Sequence, residues 1–288
     1  MIATAEAPRR DRAAARGVAH PTSLLRVIRS EVIKLFTVPA PLVLLLCVIL
    51  LSVGLAALTA WASGAFMADM VDQAGAPEIS ATTHIYSGVA FAQLITGALG
   101  VVVGSTEFST GMSRTTFTAV PRRLSVFFAK VVVLGVVSAL TALIAFAASA
   151  AVVAPIAGHY SMELDLLGAA AQQDLWASVA YLVATALIGL ALGMLLRNAA
   201  GGIVILAALL FVLPIAFMMI GNDFFSTLAA YLPDAAYSAI SSSALSAEDA
   251  AAMGVAEPLP VWQAWLTLGA WVVAPLVAAG AVLRWRDL

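Results

Sequence analysis

The chain has 288 residues, of which 62% are hydrophobic and 10% charged, against about 25% charged in an ordinary soluble domain. Its 14 Lys and Arg and 16 Asp and Glu are too few to cover a water-soluble globule of this size, so lipid is the solvent its surface suits. The net charge of -2 supplies no field for nucleic acid, and one cysteine, Cys47, excludes an intrachain disulfide framework and a cysteine-based zinc cluster.

Residues 1–21 are rich in Ala and Arg without apolar periodicity, which predicts a disordered basic arm. Over residues 22–38 the pattern changes. At 100° per residue, Leu24, Leu25, Ile28, Val32, Leu35 and Phe36 share one stripe, with Arg26, Ser30 and Lys34 opposite. This predicts an amphipathic helix at the membrane interface. Pro39 and Pro41 cannot continue it, so the chain should turn there and enter the bilayer.

The remainder, residues 39–288, reads as one transmembrane domain. Uncharged apolar stretches of about 20 residues, the length a bilayer requires, occur six times: 41–61, 87–104, 131–154, 175–196, 201–221 and 261–283. The fold class is therefore an all-α integral membrane protein with six spans. The run after Leu42 ends in Ala60-Trp61-Ala62, a small-residue cleavage pattern, but it is too long and too far from the N-terminus for a signal peptide and reads as a retained span. Numbering the connections alternately puts all 14 Lys and Arg on one side and 11 of the 16 acids on the other. The positive-inside rule then predicts a multi-pass protein of the cell membrane with both termini cytoplasmic.

Between the second and third spans, Gly111 and Pro121 bracket a short element carrying Arg114, followed by Arg122 and Arg123. A two to three turn helix across the membrane face fits this spacing, as does an ordinary basic loop. In the outer connection after the fifth span, residues 224–233 are apolar but too short to cross, which predicts a re-entrant or interfacial helix, and residues 235–256 predict a surface helix and loop. Small-xxx-small faces at Gly100/Gly104 and Gly189/Gly193 allow close helix contact, within the chain or across a dimer. Pro214 and Pro275 predict kinks.

The spans hold no ionisable side chain, so the coupling groups of a secondary transporter and the paired aspartates of an intramembrane protease are missing from them. No GxxxxGK[ST] phosphate loop and no HExxH motif occurs, and His20, His84 and His159 fall on loops where solvation is the expected state. The chain is accordingly read as a non-enzyme that binds no cofactor itself. Gln93 and Thr96 are the notable polar side chains of the second span. An amide in lipid must face protein, water or ligand, so two roles are open: a bond to a neighbouring helix of the same chain, or a substrate path completed by the apolar Phe211, Pro214, Phe217 and Met218.

The segment from Glu107 through Gly111-Met112, Arg114-Thr115-Thr116 and Val120-Pro121-Arg122-Arg123 to Lys130 resembles the ABC exporter permeases of the type 2 superfamily. In that family a Glu ends the second span and a Gly-Met or Gly-Thr step opens a short coupling helix. Glu31-Val32-Ile33-Lys34-Leu35 looks like the family's E-x-x-K-L connecting helix, and Tyr231-Leu232-Pro233 is similar to a Y-L-P before the sixth span. The resemblance implies a permease subunit that dimerises and docks on a separate ABC ATPase, which carries the ATP and magnesium. It assigns contact with that ATPase to Glu107, Gly111, Met112, Arg114, Thr115, Pro121, Arg122, Arg26, Glu31 and Lys34. The competing readings are a non-transporting membrane scaffold or immunity protein and a secondary transporter.

Overall fold

The computed structural model describes residues 24–70, 80–109, 123–244, 246–252 and 257–285. The basic arm 1–21 and the expected coupling helix, with Gly111, Met112, Arg114, Thr115, Pro121 and Arg122, lie outside them. Among the described residues every regular element is helical, and six helices are long and apolar enough to cross a membrane.

Helix α1 (Leu24–Thr37) ends one residue before Pro39, which opens α2 (Pro39–Met70) at a position where a missing N–H costs nothing. At 1.5 Å per residue a helix of 32 residues is about 48 Å long, so α2 runs well past the expected 41–61 span. A 3-10 turn, Ala81–Tyr86, is capped by the Ser80 hydroxyl and leads into α3 (Val89–Ser109). His84 sits in this turn, half-buried with a buried, unpaired Nε2, so the solvated loop position expected for it is not what forms. Helix α4 (Arg123–His159) carries Pro155 in its last turns, and α5 (Ala169–Leu196) ends on Arg197 in the left-handed conformation, φ 53°.

The fifth crossing segment, α6 (Ala199–Ile220), starts from an Asn198 cap whose Oδ1 accepts from the Gly201 N–H at 2.9 Å. Pro214 does not simply kink it. A π turn over Ala208–Val212 precedes the proline and takes up the register change that its missing donor imposes. Short helices α7 (Asp223–Ala229), α8 (Pro233–Ile240) and α9 (Ala247–Ala252) follow, then α10 (Val261–Trp285), which continues through Pro275.

Helix α5 is the central post. Small residues let α3 approach it in parallel: a Cβ at Gly100 would lie 1.9 Å from the Ala186 carbonyl oxygen, one at Gly189 2.0 Å from that of Gly97, and one at Gly193 2.3 Å from that of Val101. The two small-residue faces thus meet each other inside the chain. Helix α8 is drawn inward as well, with Pro233, Ala236, Ala239 and Ile240 buried beside α5 and α10, in place of the surface helix expected there. Asp234 and Ser238 on this short helix, in an acidic connection, make composition alone point to a surface.

The described charges are sorted between the two ends of this bundle. Arg26, Arg29, Lys34, Lys130, Arg197 and Arg284 lie at the end formed by α1 and the adjoining helix termini. Asp69, Glu163, Asp165, Asp174, Asp234 and Glu257 lie at the other.

Candidate functional site

At the basic end four charges from three helices meet. Glu31 of α1 accepts from Lys34 Nζ through Oε1 at 2.7 Å and from Lys130 Nζ of α4 through Oε2 at 2.6 Å. Glu107, at the end of α3, accepts from Lys34 at 2.7 Å and from Lys130 at 3.0 Å through its Oε1. Two acids and two bases close a neutral ring, the only arrangement in which charges this far from water are tolerable. The side chains of Lys130, Glu31 and Glu107 are 4%, 5% and 9% exposed, whereas Lys34 keeps 32%. Burial alone would lower the Lys34 pKa, but the hydrogen bonds and charges of Glu107 and Glu31 outweigh it and hold the ammonium above its usual range.

The ring explains how α1 docks. Val27, Glu31 and Leu35 form its buried face, with Val27 against Val126 and Ala129 of α4, while Leu24, Leu25 and Phe36 of the expected apolar stripe are 52%, 76% and 51% exposed. Charge pairing has rotated the helix so that Glu31 points inward. A small cavity of about 100 Å³ lies beside the ring, walled by Leu35, Val38, Val103, Val133 and Leu134. Arg197 places its guanidinium 4.8 Å from the centre of the Phe108 ring, next in sequence to Glu107.

Of the residues that the resemblance assigns to ATPase contact, Glu31, Lys34 and Glu107 are thus brought together, and Arg26 is exposed on α1. Lys130 completes the ring but was outside that set. The signal for it was partly in the sequence: the apolar Val126 and Val133 lie at i−4 and i+3 from it, and the structure buries both, so a lysine on that face needs a buried acid.

The candidate path residues are placed differently. Gln93 and Thr96 face α5 of the same chain. The Gln93 amide nitrogen donates to the Ala90 carbonyl at 3.0 Å, its oxygen accepts from the Tyr181 hydroxyl, and Thr96 shares a hydrogen bond of 2.9 Å with Thr185. Phe211 packs against the cluster of Val101, Ile188, Leu206 and Leu210, Phe217 lies 5.3 Å from Phe225 between ring centroids, and Met218 is 76% exposed. Gln93 and Thr96 are therefore not brought to one surface with Phe217 and Met218. Pro214 borders a separate cavity at the acidic end.

That end is built on hydrogen bonds. Tyr181 and Tyr237 stack with centroids 4.6 Å apart, Ser178 shares a bond of 3.0 Å with the Tyr237 hydroxyl, and Asp174 accepts from the Ser242 N–H at 2.7 Å and the Ser241 hydroxyl at 2.9 Å. Burial pushes the Asp234 carboxyl above its usual range, which the Tyr181 hydroxyl only partly opposes, and burial likewise raises the Tyr237 phenol. Among the described residues no group of three His, Cys, Asp or Glu is arranged to hold a metal ion. Compared with models of known protein families and with curated proteins, the chain matches none.

Proposed function

We propose that this chain is the membrane-spanning subunit of an ATP-driven ABC exporter in the cell membrane, with both termini in the cytoplasm and ATP hydrolysed by a separate subunit docked at its basic end. One observation carries the reading. The ring of Glu31, Lys34, Glu107 and Lys130 ties α1 to the helix that enters the 110–122 segment and to the helix that leaves it. A push on that segment by a nucleotide-driven partner would therefore reach α1, α2, α3 and α4 together. Neutral overall and largely closed to water, the ring is stiff without presenting net charge to lipid. Dimerisation supplies the second half of the machine, as the family resemblance implies.

The test is a site-specific cross-link. In a Cys47→Ser background, Arg114→Cys carrying a photoreactive maleimide should join the chain to a nucleotide-binding subunit, and that pair, reconstituted, should hydrolyse ATP several-fold faster than the ATPase alone. A chain that acquires no ATPase partner in its native membrane would instead be a scaffold, and the exporter reading would be lost.

A further inference from the structure

We infer that the cavity at the acidic end is a binding site for a lipophilic organic cation, an ammonium group on an apolar body, held by Asp234 and Glu257. The cavity is about 450 Å³, within the size range of small-molecule sites. Its walls are mostly apolar, with Pro214, Leu232 and Leu259 beside the hydroxyls of Ser238 and Ser243, and Asp234 and Glu257 both line it. Every described Lys and Arg side chain lies at the opposite end of the bundle, so among the described residues neither carboxylate has a Lys or Arg to face.

A count of protons makes the same point independently. The Gln93 amide nitrogen is committed to the Ala90 carbonyl, which fixes the amide with its oxygen toward Tyr181. The Tyr181 hydroxyl donates to that oxygen, yet Asp234 Oδ1 also lies 3.3 Å from it. The hydroxyl hydrogen is shared between two acceptors, so the bond to Asp234 is a weak one. Among the described residues it is the only side-chain donor to this carboxyl, which leaves Asp234 Oδ2 without a side-chain partner. A ligand cation in the cavity would pair with that oxygen.

The chemistry narrows the class. A metal dication would want more oxygen ligands than two carboxylates, and no third acid joins them among the described residues. A zwitterionic lipid headgroup would carry its phosphate into a site of two carboxylates. An organic ammonium with an apolar body fits both the walls and the charge. The titratable groups around Asp234 are Tyr181 of α5, which bonds it, Tyr237 of its own helix, and Glu257, which lines the same cavity; Asp174 of α5 lies near Tyr237, and none of these is basic. The only described basic side chain of α10 is Arg284, at the far end.

The site does not depend on the coupling reading, because binding can be measured on the purified chain with neither ATPase nor ATP. Benzyltrimethylammonium and its neutral carbon isostere neopentylbenzene are the probes, titrated calorimetrically into protein in lipid nanodiscs. The cation should bind saturably and the isostere should neither bind comparably nor compete. Asp234→Asn should weaken the cation by about tenfold or more, the loss of roughly one ion pair. Glu257→Gln, on an exposed segment, should weaken it at unchanged thermal midpoint and carries the test if Asp234→Asn does not fold. Affinity should fall as the pH is lowered, the loss setting in above pH 3.8, the ordinary value for an aspartate. No saturable binding by the wild-type chain, equal binding of the isostere, or unchanged affinity in the folded variants would overturn the assignment.

Discussion

Lys130 shows what a single buried charge requires of its neighbours. With Glu31 at 2.6 Å and Glu107 at 3.0 Å it is the innermost member of the ring, and its removal leaves two carboxylates to share the half-exposed Lys34. Lys130→Met should therefore cost about 3–5 kcal/mol, the usual penalty for breaking a buried pair from one side. Adding Glu31→Gln removes the excess negative charge and should recover part of the loss, leaving the Lys34–Glu107 pair intact. Thermal midpoints of the two single variants and the double variant give the coupling; strictly additive losses would show that the two side chains do not interact. The same ring marks a limit of reading the sequence by apolar stripes. On α1 the hydrophobic pattern was legible as a helix, but its orientation was not. Glu31 looks like a solvent-facing residue until Lys130 is known to need it, and that need links positions 99 residues apart.

At the scale of elements, the six spans were readable because length and apolarity together leave one structure in lipid, where backbone groups must bond within the segment. The contact between α3 and α5 was readable only in part. Gly100, Gly104, Gly189 and Gly193 announce a close approach without naming the partner, and the structure sets the two faces against each other. The inward turn of α8 was readable only in part: Pro233, Ala236 and Ile240 recur at helical spacing, but Asp234 and Ser238 on a short helix in an acidic connection suit a surface as well. The α3–α5 seam makes a sharp expectation. A side chain at Gly189 must enter the Gly97 carbonyl, 2.0 Å from its Cβ position, whereas one at Gly269 on α10 meets nothing within 4 Å. Gly189→Val should cost at least about 1–3 kcal/mol through overpacking. Gly269→Val, in a helix but without neighbours, should lie close to the parent protein. Comparable melting of the two variants in the same detergent would mean that α3 and α5 are not held this closely.

For the molecule as a whole, the separation of charge is what the proposed orientation rests on. The described basic side chains gather at one end, and at that end the only described acids are the two that neutralise the lysine pair, Glu31 and Glu107. Basic loops are retained on the cytoplasmic side during insertion, which would put the ring and α1 within reach of a soluble ATPase and the acidic cavity outside. Orientation can be checked without knowing the substrate. In the Cys47→Ser background, Leu167→Cys probes a side chain that is 88% exposed in the connection between α4 and α5, and Arg29→Cys probes the exposed face of α1. A membrane-impermeant maleimide should label Leu167→Cys in intact cells and Arg29→Cys only after permeabilisation. The reverse pattern would turn the basic end outward, where no ATP is supplied, and would remove the physical basis for an ATPase docked on α1 while leaving the cation site to be approached from the cytoplasm.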